Sequence, residues 1–279
     1  KSDVFLAKYD SDGVYQWAYD FGGGYDDAGF GIAVAEGLDG VDYVYITGKF
    51  KATDVEFDPL GGVHSIGSDG KPPSKLTAGN DSDVFFAKYD SSGTLVWAHS
   101  IGGKEDDEGF GIAVDDDGNV YVFWHADAVE DARRRVYMAV SRENGSLFDL
   151  PRAVSPEAEG ACGCCGLRAV TDAEGAVHVS YRGAGDNIHR GMRLLSTADQ
   201  GRTFSDQLIQ PWKVGACPVA TTTLGVWPEG TLVAWETEGQ VYFADIGHLD
   251  EPVSPPGAAD FRRKNATVAM NGRGDTLLA

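Results

Sequence analysis

The sequence has little positive charge and no long hydrophobic run. Its 23 lysines and arginines stand against 43 aspartates and glutamates, giving a formal net charge of -20 and an isoelectric point near 4.5. A surface of that sign repels phosphate backbones and anionic lipid headgroups, which argues against nucleic acid and membranes as partners. No apolar segment approaches the ~20 residues that a membrane-spanning helix needs, and residues 1–10 lack the pattern of a signal peptide. We therefore expect a soluble chain.

Long stretches with apolar residues at helical spacing are also missing. Instead, short runs of Val, Ile, Tyr and Phe are separated by Asp-Gly, Asn-Gly and Gly-Gly, and the chain contains 37 glycines. This pattern is typical of many short strands joined by tight turns. The length of 279 residues suits two ordinary domains or one large all-β domain, so the composition favours the all-β class.

One segment of the sequence occurs twice. Residues 3–34, DVFLAKYDSDGVYQWAYDFGGGYDDAGFGIAV, return at residues 83–114 as DVFFAKYDSSGTLVWAHSIGGKEDDEGFGIAV, with the same spacing between all shared residues. Each repeat carries strands that we label A (GFGIAV), B (NVYVFW), C (DVFFAKYD) and D (TLVWAHSI). Four short antiparallel strands per unit are typical of a propeller blade. The polar insert at residues 51–81 predicts a surface loop.

The repeated residues resemble those of bacterial SBBP-type β-propeller repeats. Val-Phe-x-x-Lys-Tyr-Asp, Trp-Ala and Gly-x-Gly-Ile-Ala-Val recur in that family, and the resemblance covers residues 1–122. The recurring residue pattern then changes, and residues 123–279 resemble BNR, or sialidase-like, propellers. Both families imply an extracellular or periplasmic origin.

Two short motifs carry the second resemblance. TADQGRTF at residues 197–204 resembles the Asp box, and SRENGSLF at residues 141–148 is a degenerate copy. In an Asp box the hydroxyl and carboxylate bond local backbone amides while the aromatic side chain packs between blades. The motif is therefore structural, and its residues here are Thr197, Asp199, Gly201, Thr203 and Phe204.

The hairpins can be counted along the chain. Strands A and B are placed at residues 29–48, 109–125, 166–182, 218–236 and 267–279. Strands C and D are placed at residues 3–21, 83–101, 135–154, 192–210 and 240–253. The first and last hairpins are left without partners, and propellers avoid open edges by closing the ring.

We therefore predict one domain over residues 1–279, a five-bladed β-propeller of four-stranded antiparallel blades. Strands from both termini would complete one blade and close the ring, which favours a monomer. A strand-exchanged dimer is the alternative. The change of repeat family suggests a chimera, engineered or made by recombination of two propellers.

All four cysteines lie in loops that enter strand A of consecutive blades. They are Cys162, Cys164, Cys165 and Cys217, and the shared Gly-Ala-Cys sequence would bring the first and last together. Thiolates this close can hold zinc or copper(I). The alternative is a disulfide, such as Cys162–Cys217, because the usual Cys-x-x-Cys zinc pairs are not evident and the cysteine count is even.

Loops from B to C should emerge on the same face as the cysteine loops. They carry candidate ligands for a carbohydrate or another small molecule at the channel mouth. These candidates are His125, Asp127, Asp186, His189 and Trp235.

The sialidase-like resemblance implies a stricter set of catalytic residues. Sialidases use three arginines to clamp a carboxylate, a Tyr–Glu nucleophile pair and an Asp acid. The corresponding residue types here are Arg168, Arg182, Arg193, Tyr181 and Glu236, but none stands in a diagnostic motif. We therefore expect a structural scaffold or latent binding module without assured catalysis or cofactor, with a sialidase-like glycoside hydrolase and a thiol-rich metal-binding propeller as alternatives.

Overall fold

The computed structural model describes most of the chain as β-structure. The described residues are 2–51, 55–58, 75–76, 81–102, 106–126, 130–257, 262–271, 273 and 275–278. Within them, the regular structure is strand apart from two short 3-10 helices, Glu157–Glu159 and Gly163–Cys165. This confirms the predicted all-β class. Among these residues no helix has the length and apolar character needed to cross a bilayer.

The strands are numbered in chain order. They are β1 (Val4–Tyr9), β2 (Tyr15–Phe21), β3 (Ala28–Glu36), β4 (Asp42–Phe50), β5 (Val55–Glu56), β6 (Lys75–Leu76), β7 (Asp83–Asp90), β8 (Leu95–Ile101), β9 (Glu108–Val114), β10 (Val120–Ala126), β11 (Arg135–Ser141), β12 (Arg152–Ala153), β13 (Leu167–Thr171), β14 (Val177–Arg182), β15 (Met192–Thr197), β16 (Ser205–Gln210), β17 (Thr222–Trp227), β18 (Gly230–Thr237), β19 (Gln240–Asp245), β20 (Val268–Met270) and β21 (Thr276–Leu278).

These strands form antiparallel sheets in a β-propeller arrangement. Three sheets have four strands, in the orders β3-β4-β7-β8, β12-β11-β10-β9 and β13-β14-β15-β16. A fourth sheet has the order β17-β18-β19, and Val253 bridges to Phe243 on its outer strand at the place of the predicted strand D. The described residues therefore build four blades from the predicted A, B, C and D strands.

The prediction of five four-stranded blades is wrong for the described residues. β1 pairs with β2, and β20 pairs with β21, in two separate two-stranded sheets. The second hairpin pairs three residues on each strand, from Val268↔Leu278 to Met270↔Thr276. Closure of the ring by both termini, and the strand-exchanged dimer, stay predictions.

The chain divides into two compact units, which are described separately. The first contains Lys1–Trp124 and Val140–Asp149, and the second contains His125–Ala139 and Leu150–Ala279. Trp124 lies close to the end of the SBBP-like segment inferred from the sequence.

The core of the first unit includes part of the insert. Phe57 is buried and its ring packs 4.8 Å from that of Phe85 and 6.0 Å from that of Phe21. Its carbonyl also accepts a hydrogen bond of 2.8 Å from the Tyr89 hydroxyl. The prediction that the whole insert is a surface loop is therefore wrong, because an aromatic side chain anchors its first part in the core.

The Lys and Trp residues of the repeat hold the turn of the next blade. Lys88 Nζ donates to Asn144 Oδ1 at 2.7 Å, and Trp97 Nε1 donates to the Asn144 carbonyl at 3.1 Å. In the first copy, Lys8 Nζ and Trp17 Nε1 donate in the same way to the Ser91 carbonyl. These repeated residues therefore position consecutive blades of the first unit by hydrogen bonds.

Candidate functional site

Four cysteines of the second unit lie in two loops that meet at one place. The first loop connects β12 to β13 and folds tightly around the Gly163–Cys165 helix. Gly160 and Gly166 flank it with φ angles of 59° and 67°, a region where a Cβ atom is costly. The second loop connects β16 to β17 and carries Cys217. The prediction that these loops lie together is confirmed by the contacts between their sulfur atoms.

Backbone hydrogen bonds fix both loops. The Cys162 amide donates to the Arg182 carbonyl at 2.9 Å, and the Ala161 amide donates to the Asp131 carbonyl at 3.0 Å. Across the two loops, the Ala220 amide donates to Cys165 Sγ at 3.4 Å. Val219, just before it, has a φ of 48°, which is strained for a β-branched residue. Such strain is often found at functional sites.

The sulfur atoms form a compact cluster around Cys162. Its Sγ lies 3.1 Å from that of Cys165 and 3.5 Å from those of Cys164 and Cys217. All four Sγ atoms lie within 4.8 Å of one another. Cys162 and Cys165 are buried, Cys217 is half-buried and Cys164 is exposed, so the cluster has a buried side and an open side.

A disulfide joins Cys164 to Cys217, and Cys162 and Cys165 are free thiols. The predicted Cys162–Cys217 pairing is therefore wrong. Its physical reason is that the Cys162 amide is bonded to the carbonyl of Arg182 and its side chain is buried, whereas Cys164 faces the open side with Cys217. The Cα atoms of the two disulfide-bonded residues are 7.0 Å apart, slightly beyond the span usual in disulfides.

The two free thiols share one hydrogen bond and therefore differ in acidity. The hydrogen bond with Cys162 and the Ala220 amide lower the pKa of Cys165 to about 7, although burial acts in the opposite direction. The same hydrogen bond to Cys165, together with burial, raises the pKa of Cys162 above its ordinary value. The cluster thus favours a first thiolate at Cys165.

Buried arginines surround the cluster. Arg182 is fully buried, and its guanidinium donates to neutral oxygens of Arg190, Thr237 and Glu236. No salt bridge to Arg182 is found in the described part of the chain. Its charge instead acts on the thiols, lowering the pKa of Cys165.

A second group of charges lies beside the first loop. Asp131 accepts from Arg190 at 2.7 Å and from Arg134, and its pKa falls below the ordinary value because these contacts outweigh the effect of burial. Two arginines on one aspartate leave this group with a net charge of +1. Of these charged groups, Arg182 and Arg190 act on Cys165 and favour its thiolate, while Glu236 acts in turn on Arg182.

A pocket of about 450 Å³ opens near the same loops. Trp212 lines it, and the guanidinium of Arg182 lies beneath this indole at 5.3 Å from the ring centroid. His189 is the predicted ligand residue that lines the pocket. The other polar residues along its wall are Glu159, Arg193, Lys213 and Glu238.

The other predicted ligand residues are placed differently. Trp235 is fully buried, and its indole donates to Gln210 Oε1, so it belongs to the core rather than to a pocket. His125 is also buried, and burial lowers its pKa to about 3. Asp186 is exposed at 3.9 Å from the ring of His189. Asp127 lies outside the described residues.

The residues suggested by the sialidase resemblance are not brought to one site. Arg168 pairs with Ser180 in the sheet, whereas Arg193 pairs with the neighbouring Tyr181. Because successive side chains of a strand point to opposite faces, Arg168 and Arg193 lie on opposite faces of this blade. They do not form a clamp with Arg182.

The charge of Arg193 is already used within the fold. Its guanidinium forms an ion pair with Asp206 and another with Glu159, and Tyr181 donates to the same Asp206 at 3.2 Å. Glu236 is buried and burial raises its pKa, but it lies in the next blade on β18. The arrangement gives no support to the three-arginine site.

The Asp box has the geometry expected of a structural turn. Thr197 Oγ1 accepts from the Gly201 amide at 3.1 Å, and Asp199 accepts from both the amide and the hydroxyl of Thr203. These bonds hold the pKa of Asp199 well below its usual range. Phe204 lies 5.8 Å from the guanidinium of Arg152 on the preceding blade.

Sequence reasoning missed several residues around the cluster. Asp131, Arg190 and Trp212 come from three different loops, and no local motif marks them. Cys162 and Cys165 have the Cys-x-x-Cys spacing, so the prediction that such pairs are missing is wrong. That spacing is a signal of zinc sites that the sequence contained.

Comparison with known proteins supports the fold. Residues 96–123 match the family model described as SBBP, beta-propeller repeat. No match is found among curated proteins. Among solved structures, similarity is found to Hadza microbial sialidase Hz136 (12% identity, TM-score 0.52, 88% of this chain and 52% of that one). Trypanosoma rangeli sialidase in complex with the inhibitor DANA is similar as well (10% identity, TM-score 0.52, 100% of this chain and 47% of that one).

A third similar structure is a protein of unknown function from Dyadobacter fermentans DSM 18053 (13% identity, TM-score 0.50, 88% of this chain and 68% of that one). The chain spans about half the length of the two sialidases that it matches. At these identities the similarity concerns the fold alone. The protein is thus a β-propeller. Residues 96–123 are similar to an SBBP repeat, and the fold is similar to that of sialidase propellers.

Proposed function

We propose that this β-propeller is a metal-binding module that holds one zinc ion between four cysteines. The observation that carries the proposal is that the Sγ atoms of Cys162, Cys164, Cys165 and Cys217 lie within 4.8 Å of one another. Zinc–thiolate bonds of about 2.3 Å place the sulfurs of a tetrahedral site about 3.8 Å apart. Reaching this spacing lengthens the contacts of Cys162, which are now 3.1 to 3.5 Å, by about 0.3 to 0.7 Å. Reduction lets the bonded sulfurs of Cys164 and Cys217 separate to the same spacing.

The charge of the surroundings supports a divalent ion. Zn²⁺ with four thiolates carries a net charge of -2, and the positive charges of Arg182 and Arg190, which act on the Cys165 sulfur, offset it. Buried charges need such compensation because the desolvation of an unpaired ion is costly. A single copper(I) ion with the same ligands would carry -3, so the balance favours zinc over copper(I).

The ligand set supports a structural role rather than a catalytic one. Four protein ligands leave no open position for water or substrate, which is typical of structural zinc sites. The amide of Ala220, which donates to Cys165 Sγ, would stabilise a thiolate at that position. The ion would join two loops that are far apart in the sequence, and its binding energy would stabilise the second unit.

Zinc titration of the reduced protein tests the proposal. Apo-protein treated with a phosphine reductant should take up one zinc per chain, measured by elemental analysis after desalting. Cobalt(II) in its place should give the intense visible bands of a tetrahedral site and sulfur-to-cobalt charge-transfer absorption. A Cys162→Ser variant should lose most of this uptake, since it removes the central sulfur.

Ala216→Ser provides the matched control, because it changes an exposed residue next to Cys217 without touching a sulfur. It should bind zinc like the parent protein. Fully reduced and folded protein that retains no zinc after desalting would contradict the proposal. So would equal uptake by Cys162→Ser.

A further inference from the structure

The disulfide and the proposed zinc site use the same sulfur atoms. Cys164 and Cys217 are joined to each other, while Cys162 and Cys165 remain thiols. Zinc needs thiolates as ligands, so the disulfide removes two of the four. The disulfide and the tetrathiolate site therefore exclude each other, and they differ by two electrons.

We propose that the cysteine cluster is a redox-coupled zinc site, in which oxidation by a low-molecular-weight disulfide joins Cys164 to Cys217 and releases the ion. The inference rests on the proposed function, because it requires that the reduced cluster binds zinc. Reduction by a dithiol would reverse the step and restore the four thiolates. The oxidised state corresponds to the bonding seen in the structure.

The reaction balances in atoms and electrons. The Cys164 thiolate attacks one sulfur of the small disulfide RSSR, forming a Cys164–S–S–R bond and expelling RS⁻. The Cys217 thiolate then attacks the Cys164 sulfur and expels the second RS⁻. The protein loses two electrons, RSSR gains them, Zn²⁺ leaves, and Cys162 and Cys165 take up protons from water.

Exposure decides which pair reacts. Cys164 is exposed, whereas Cys162 and Cys165 are buried, so an oxidant from solution meets Cys164 first. Exchange requires access to the attacking sulfur as well as its thiolate form. Cys217 is half-buried beside it and completes the bond.

The buried half of the cluster has contacts that do not depend on the disulfide. Cys162 is held through its amide by the Arg182 carbonyl, and Cys165 receives the Ala220 amide. Gly160 and Gly166 allow the tight turns on either side of this pair, since their φ angles are positive. The buried pair therefore keeps its place, and the exposed pair changes its bonding.

The rate of zinc release during oxidation tests the redox coupling. Zinc-loaded protein under anaerobic conditions is mixed with oxidised glutathione, and released zinc is followed with a chromophoric chelator. One zinc should appear for each disulfide formed, and peptide mapping after alkylation should identify Cys164–Cys217. Acid quenching at early times should trap the glutathione mixed disulfide on Cys164 at least about tenfold more often than on Cys162 or Cys165, because Cys164 is the exposed sulfur. Ala216→Ser, with all sulfurs intact, should behave like the parent.

Failure of zinc binding and failure of the redox coupling give different experimental results. If the reduced protein takes up no zinc, the proposed function fails and the coupling falls with it. If zinc binds but stays bound while Cys164–Cys217 forms, or if oxidation joins another pair first, the metal site stands and the redox coupling is overturned. Recovery of one zinc per chain after dithiothreitol and added zinc is the expected result in the supporting case.

Discussion

His125 illustrates how burial sets the charge state of single residues in the second unit. The side chain is buried on β10, and burial, with a smaller contribution from the charge of Arg134, lowers its pKa to about 3. The unfolded chain would instead protonate this group near 6.5. Between these two values the unfolded state binds the extra proton and the folded state does not.

The stability of the protein should therefore fall as the pH drops below about 6.5, through this group alone, until about pH 3. The slope is about 1.4 kcal/mol per pH unit, which amounts to about 2 kcal/mol between pH 6.5 and 5. His125→Gln should lose less stability over that interval than the parent protein. Urea unfolding at the two pH values measures the difference, and parallel losses in the two proteins would contradict the assignment.

At the scale of elements, the turn at Asn144 and Gly145 shows what a repeat motif does. Trp97 lies against this turn, and Lys88 lies 3.7 Å from the ring centroid of Tyr43 while donating to Asn144. The turn lies within residues 141–148, and it receives the Lys and Trp residues of the SBBP-like repeat. The repeat motif therefore fixes a turn that lies outside the repeat in the sequence.

Gly145→Ala should disrupt this contact. Gly145 has a φ of 86°, and a Cβ there would lie 2.1 Å from Trp97 Cζ2. Gly13 has a similar φ of 77° with nothing within 4 Å, so Gly13→Ala reports the backbone cost alone, about 1–2 kcal/mol. Gly145→Ala should cost about 1–3 kcal/mol more because of overpacking. Equal destabilisation of the two variants in urea would show that the contact with Trp97 is unimportant.

At the scale of the whole molecule, the first repeat differs from the second in burial. Phe5 and Ile32 are 79% and 62% exposed, whereas the corresponding Phe85 and Ile112 are buried. The same sequence positions thus lie in different surroundings. The chimeric origin, engineered or by recombination, stays a prediction, since the similarities found concern repeat and fold.

The protein should be a monomer in solution. Its net charge of -20 makes copies of the chain repel each other, which opposes association through the exposed apolar residues. Light scattering after size exclusion should give 29.7 kDa at low and high protein concentration. A mass near twice that value would favour the strand-exchanged dimer, and Phe5→Ser should then reduce it if the exposed face of β1 takes part.

Much of the local structure could be predicted from the sequence. Short apolar runs separated by turn residues, together with the internal repeat, located the hairpins, because tight turns join short strands and each blade repeats the same four strands. The Asp box predicted its own turn, since the hydroxyl of Thr197 and the carboxylate of Asp199 bond amides only a few residues away. The shared Gly-Ala-Cys sequence predicted that the two cysteine loops meet.

Other features were decided by the tertiary structure. Whether Cys162 or Cys164 bonds to Cys217 depends on which sulfur is buried, and the bonded residues are 53 positions apart. Strand register put Arg193 on the opposite face from Arg168, and packing buried Trp235 and Phe57. Periodicity and turn chemistry act over a few residues and can be read from the chain, whereas charge balance and sulfur contacts arise only where distant loops pack together.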